Sequence, residues 1–203
     1  MIELLRDYFV PYINNRKQTE PKLSPSDLTI KYEDITENEF DIIDKKTQIR
    51  QDVNTGSATY HNSVEALRFI DYEHLINQFP KQLQRGIKRC DFIVYDLNGN
   101  SVFILNELSQ STAVQTKLRD AIEQLFKSAL DLTRVTPIND FIKSKEKHQC
   151  IFSNRMPNVA NSPLGMADSF NLIQELLPEL IVHPNDRINK LGFELIETDQ
   201  IYI

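Results

Sequence analysis

The sequence predicts an α/β domain, a central mixed β-sheet flanked by helices. Three observations carry that prediction. Two short apolar runs, Phe92-Ile-Val-Tyr and Val102-Phe-Ile-Leu, are joined through Asn98-Gly99, a dipeptide suited to a tight turn between strands. Directly afterwards, Val114, Leu118, Ala121, Leu125, Ala129 and Leu132 fall on one face of a helix over 113–133. Lys147-His-Gln-Cys-Ile-Phe-Ser then reads as a further strand, so strand, helix and strand alternate.

Taken in order, residues 2–15 read as an N-terminal helix, with Ile2, Leu5, Phe9 and Ile13 near helical spacing and Pro11 as the point of early termination. Pro21 and Pro25 punctuate a polar connector, and 28–33 reads as a short strand. Phe40-Asp-Ile-Ile and 47–53 flank the polar Asp44-Lys-Lys in the manner of a hairpin, followed by a turn at 54–57. Val64, Leu67, Ile70 and Leu75 predict a helix over 64–79, capped by Ser63 and ended or offset at Pro80. Thr112-Ala-Val-Gln115 fits a capping box at the head of the long helix, and Pro137 follows its end. A Pro/Asn-rich loop spans 154–163, and Phe170, Ile173, Leu177 and Leu180 suggest another helix. Residues 193–197 and 200–203 close the chain as a C-terminal hairpin. With no repeat or linker in view, 1–203 reads as one domain.

Composition excludes several classes. A net charge of −6 argues against coating nucleic acid through bulk charge, while leaving room for a local basic groove. Cys90 and Cys150 sit in apolar runs, with no C-x-x-C pair and no zinc-type spacing, so they read as buried reduced thiols. No apolar run is long enough for a membrane span, and the N-terminus lacks a signal peptide's basic start. The expectation is a cytoplasmic protein. There is no glycine-rich phosphate loop.

The chemistry concentrates on the paired strands. Asp91 opens the first and Glu107 closes the second, in Glu107-Leu108-Ser109. Mg²⁺ takes oxygen ligands, often one or two carboxylates with water and phosphate completing its shell. Two acids at neighbouring strand ends, with a backbone carbonyl such as that of Leu108, would supply such a partial shell. An ion held there would activate water and offset charge on a phosphodiester.

Asp91, the Asn98-Gly99 turn, Glu107 and the trailing helix resemble the PD-(D/E)XK nuclease-like superfamily over roughly 64–155. The resemblance implies a restriction-endonuclease-like mixed sheet with flanking helices. It also implies Mg²⁺ (or Mn²⁺) on Asp91 and Glu107, and hydrolysis of DNA in a restriction, repair or defence system. Glu65 matches the additional helix acid, and Gln124 a polar position on the later helix. The sequence departs at Ser109, where the family carries a lysine; Lys117 is the candidate replacement. Lys81, Arg85, Lys88 and Arg89 are candidate phosphate contacts, the first three sharing a face if that piece is helical. A partner subunit or homodimer would supply targeting that an acidic chain lacks. The alternative is a non-catalytic interaction module on a degenerate scaffold.

Apart from the resemblance, each residue has a plainer role: Asp91 begins a strand, Glu107 is a charge at its end, Glu65 and Lys117 are surface helix residues, and Asp96 serves the turn. Register separates these readings. A two-residue turn at Asn98-Gly99 sets Asp91 opposite Asn106 and sends the two acids to opposite faces of the sheet. A three-residue loop such as Leu97-Asn98-Gly99 returns them to the same face. Both faces of these strands are apolar, so hydrophobic patterning does not choose.

Overall fold

A computed structural model describes residues 1–16, 21–43, 49–53, 55–111, 114–155 and 180–203. The N-terminal stretch is helical, as α1 (Ile2–Leu4), a π-type segment (Leu5–Phe9) and α2 (Val10–Asn15). Pro11 does not end it. The proline sits in the first turn of α2, where its missing N–H does no harm.

Seven strands form the large sheet. These are β1 (Tyr32–Ile35), β5 (Leu67–Asp71), β6 (Phe92–Asp96), β7 (Val102–Ser109), β8 (Lys147–Asn154), β10 (Glu194–Glu197) and β9 (Ile181–His183), in that spatial order. The pairs from β1 to β7 are antiparallel, β7–β8 and β8–β10 are parallel, and β9 returns antiparallel. The sheet is mixed, as the sequence predicts. A second sheet of four strands runs in the order β11 (Gln200–Tyr202), β4 (Ala58–His61), β2 (Glu39–Ile42) and β3 (Arg50–Gln51).

The two faces of the large sheet bury different partners. Ile70, Ile93, Tyr95, Phe103, Leu105, Cys150 and Phe152 pack under the helices. Those helices include α3 (Tyr72–Asn77), α5 (Val114–Thr133), α6 (Thr136–Lys143) and α7 (Asp186–Asn189). On the opposite face Leu67, Phe69, Phe92, Val94, Val102, Ile104 and Ile151 pack against Phe40, Ile42, Ala58, Tyr60 and Ile201 of the small sheet. Neighbouring residues of one strand thus enter opposite cores, which follows from the two-residue period of a strand. No described helix is long and apolar enough to cross a membrane.

Several expectations are corrected. The helix over 64–79 is strand β5 followed by α3, with Asp71 rather than Ser63 accepting the capping N–H, from His74 at 2.7 Å. Because β5 is central and covered on both faces, its apolar residues show no clean alternation and mimic helical spacing. After α3, α4 (Lys81–Gln84) ends at once. Gly86 has φ +85°, so Lys81 shares no continuous helix with Arg85 and Lys88. The C-terminal strands are not a hairpin: β10 pairs with β8 and β9, whereas β11 pairs with β4 in the other sheet. The 28–33 strand lies slightly later, as β1. The 40–53 hairpin is present, as β2 and β3. Pro137 does not follow a helix so much as start one, since it occupies the first turn of α6. The capping box at Thr112 and Ala113, and most of the 154–163 loop and 170–180 helix, lie outside the described residues.

Candidate functional site

The ladder between β6 and β7 pairs Phe92 with Asn106, Ile93 with Leu105, Val94 with Ile104 and Tyr95 with Phe103. One step beyond it, Asp91 stands across from Glu107. Both acids therefore belong to the helix-covered face, with Ile93, Tyr95, Phe103 and Leu105. The connection is neither two nor three residues; it runs over 97–101. Its even register follows from that odd length.

Asp96 shapes the connection. Its carboxylate accepts the N–H groups of Ser101 at 3.1 Å and Val102 at 3.4 Å, and pairs with Lys145 at 2.9 Å. Lys145 Nζ also donates to the carbonyl oxygens of Asp96 and Gly99. A Cβ on Gly99 would run into the Asp96 carboxylate, which Lys145 and the Ser101 and Val102 amides hold in place, so the loop favours glycine for the close approach. Burial works against the charged carboxylate, but Lys145 and the two amides outweigh it and hold Asp96 below the usual aspartate range.

Asp91 is fixed from three directions. Its N–H donates to the Asn106 carbonyl at 3.1 Å, and its own carbonyl accepts the N–H of Tyr72 at 2.8 Å and of Glu73 at 3.3 Å. Those two donors open α3 and have no partner within the helix. Its carboxylate Oδ2 accepts the Leu108 N–H at 2.8 Å. The side chain thus reaches across to β7 just past Glu107. Both acids are largely buried, at 8 % and 9 % exposure.

Around them lies a cavity of about 250 Å³. Asp91, Glu107, Leu108, Ser109 and Phe152 supply its sheet side, Glu73 comes from α3, and Lys117, Asp120 and Gln124 come from α5. Gln124 Nε2 donates to the Arg89 carbonyl at 3.1 Å, and Ser128 Oγ accepts the Cys90 N–H at 2.9 Å. These bonds moor α5 to the start of β6. Four carboxylates face one ammonium, so the cavity favours a cation. Cys90 lies beside it, but burial above all, with the charges of Glu107 and Asp91 adding to it, pushes its thiol up. A buried neutral thiol is no nucleophile at neutral pH.

The structure brings together Asp91, Glu107, Leu108 and Lys117, four residues singled out in the sequence, and Gln124 with them. It does not bring Glu65. That residue sits on a bend before β5 and lines a different cavity with Asp96, Asn98, Gly99 and Ser101, at the far end of β6. Glu73 on α3 occupies the neighbourhood expected for Glu65. The signal was present in Asp71-Tyr-Glu-His, an acid at a cap position two residues before Glu73. Among the basic candidates, Lys81, Arg85 and Lys88 are exposed. Arg89 is turned to Asn77 and to Glu73, 3.4 Å from Glu73 Oε1. Ser109 lines the cavity without a charge, and Lys117 reaches it from the exposed start of α5.

Mg²⁺ fits this donor set only as a partly hydrated ion. No three described His, Cys, Asp or Glu residues gather as an all-protein metal cage. Asp91 and Glu107 are two oxygen donors on one face, which is the number Mg²⁺ commonly takes while keeping waters and substrate oxygens. Comparison with known protein families, characterised proteins and solved structures finds no match for this chain.

Proposed function

We propose that the chain is a Mg²⁺-dependent hydrolase of DNA phosphodiester bonds, working in a restriction, repair or defence setting in the cytoplasm. The observation that carries the reading is the register. It sets Asp91 opposite Glu107 on one face, inside a polar cavity that Lys117 also enters.

Asp91 and Glu107 would hold the ion, with the Leu108 carbonyl a further oxygen beside them. When bound, the ion supplies Lewis acidity and a more acidic water. The remaining work falls to the chain. The Leu108 N–H orients the Asp91 carboxylate. Lys117 presents a positive charge where a phosphate would carry negative charge. Phe152 lines the sheet side of the cavity, and the burial of Asp91 and Glu107 lets their charges act through a lower dielectric than water. Exposed Lys81, Arg85 and Lys88 provide local attraction for a DNA backbone. The net charge of −6 gives little bulk attraction, so a partner subunit or a second copy supplies targeting.

Cleavage of supercoiled plasmid with Mg²⁺ or Mn²⁺ tests this, comparing wild type with Glu107→Ala after thermal melting shows both folded. The expected result is cleavage by the wild type and loss of at least about a hundredfold in the variant, the scale of removing a stabilising group from a site. Cleavage that survives the substitution rules the site out. One observation favours a second reading, a non-catalytic interaction module: Ser109 stands uncharged where the resembled family carries lysine. A folded wild type that cleaves nothing would support it.

A further inference from the structure

Glu73 joins the cavity lining from the first turn of α3, and its backbone is tied to the site, since its N–H donates to the Asp91 carbonyl at 3.3 Å. Its carboxylate is turned toward a cation. Arg89 Nη2 lies 3.4 Å from Glu73 Oε1 and also donates to Asn77 Oδ1, one helical turn further along α3. Arg89 is held from the other side as well, where its carbonyl accepts Gln124 Nε2 at 3.1 Å. The residue is thus anchored to α3 and α5 at once, with Asn77 directing the guanidinium to Glu73. Side-chain exposure is 23 % for Arg89 and 30 % for Glu73, so water screens the pair incompletely. Glu73 lines the cavity, yet among the described residues Asp91, Glu107 and Glu73 do not gather as a group able to hold a metal.

We infer that Arg89 is a positioning residue that sets which cation the cavity takes, by holding the Glu73 carboxylate aside and offsetting its charge. The inference rests on the hydrolase reading above. With Glu73 so held, Asp91 and Glu107 are the carboxylate donors on the sheet face, a number suited to a small ion that keeps most of its water. A third carboxylate released toward them would favour a larger ion, because Ca²⁺ takes more oxygen ligands and binds more tightly as their charge count rises. Arg89 acts on that choice through Glu73, without itself touching the ion or the substrate.

The test is cation binding to the full chain, without DNA and without turnover. Free Mn²⁺ is followed by electron paramagnetic resonance, with Ca²⁺ added as competitor. Wild type is compared with Arg89→Met, Glu73→Gln and the double variant, each first shown folded by thermal melting. Arg89→Met should raise affinity for Ca²⁺ relative to Mn²⁺ by about tenfold, the scale on which partners of a metal site's ligands act. Adding Glu73→Gln to it should cancel the gain, and Glu73→Gln alone should leave the wild-type ratio unchanged. An unchanged ratio in Arg89→Met, including an equal gain for both ions, overturns the inference. So does a shift that persists in the double variant, or a fall in Ca²⁺ preference with Glu73→Gln alone. If wild type binds both ions while the ratio stays fixed, the hydrolase reading stands and only the role of Arg89 is lost. A wild type that binds neither ion sinks the ion site of the hydrolase reading. Ca²⁺ binding gained by Arg89→Met alone would then still uphold the hold on Glu73, and its absence would overturn that too.

Discussion

Lys145 keeps only 4 % of its side chain exposed, and its partner Asp96 1 %. An ion pair so buried is costly to break, because the remaining charge stays out of water. Lys145→Met should lower stability by about 3–5 kcal/mol, read from urea unfolding. The pair also predicts a pH dependence. Asp96 has a folded pKa below its ordinary value, so its contribution is present above about pH 3.9 and is lost as pH falls through the lower folded value. The stability gap between wild type and Asp96→Asn should therefore narrow below about pH 4. At the cavity, Lys117→Met should lower plasmid cleavage by about a hundredfold, the cost of removing a group that stabilises transition-state charge. Ser109→Lys in that background should restore part of the rate, since Ser109 lines the same cavity. No recovery would mean that the cation is needed specifically from α5.

The decisive element is the strand pair β6–β7. Its residues alternate between two buried cores, so a shift of one place would trade one apolar set for another at little cost in pattern. The loop fixes the register instead. Asp96 folds 97–101 around its carboxylate, and Lys145 from beyond α6 locks it. The long helix was easier to read. Its inward residues Ala121, Leu125, Ala129 and Leu132 are almost wholly buried, on the stripe the sequence displays. Leu125→Ala should cost about 2–5 kcal/mol, measured by the chemical denaturation midpoint. Strand β5 has the look of a helix in the sequence for the converse reason, because a strand covered on both faces carries no period of its own.

At the scale of the whole molecule, the large sheet is enclosed between helices and a second sheet. The residues at 35–60, which carry weak signals in the sequence, supply much of that second sheet. Arg155 ties it to the end of β8, reaching Asp41, Asp199 and Thr59 with one guanidinium. Asp41 is fully buried and also accepts the N–H of Gly56 and the hydroxyl of Thr59. Arg155→Met should destabilise by about 3–5 kcal/mol through the stranded Asp41 charge. Because both sheets share one core, the loss should appear as a single shifted transition by circular dichroism and by tyrosine fluorescence, not as a separate early phase.

The sequence by itself determined the mixed α/β class, the two strands bearing Asp91 and Glu107, and the amphipathic helix that carries Lys117. These rest on local periodicity and turn chemistry, which neighbouring residues are enough to set. Only the tertiary structure decided that the two acids share a face, that Glu73 rather than Glu65 stands beside them, and that the last two strands part company between sheets. Each of those depends on contacts between residues far apart in the chain. Lys145 on the Asp96 loop, α3 amides on the Asp91 carbonyl and Arg155 on Asp41 are long-range choices, and no local pattern encodes them.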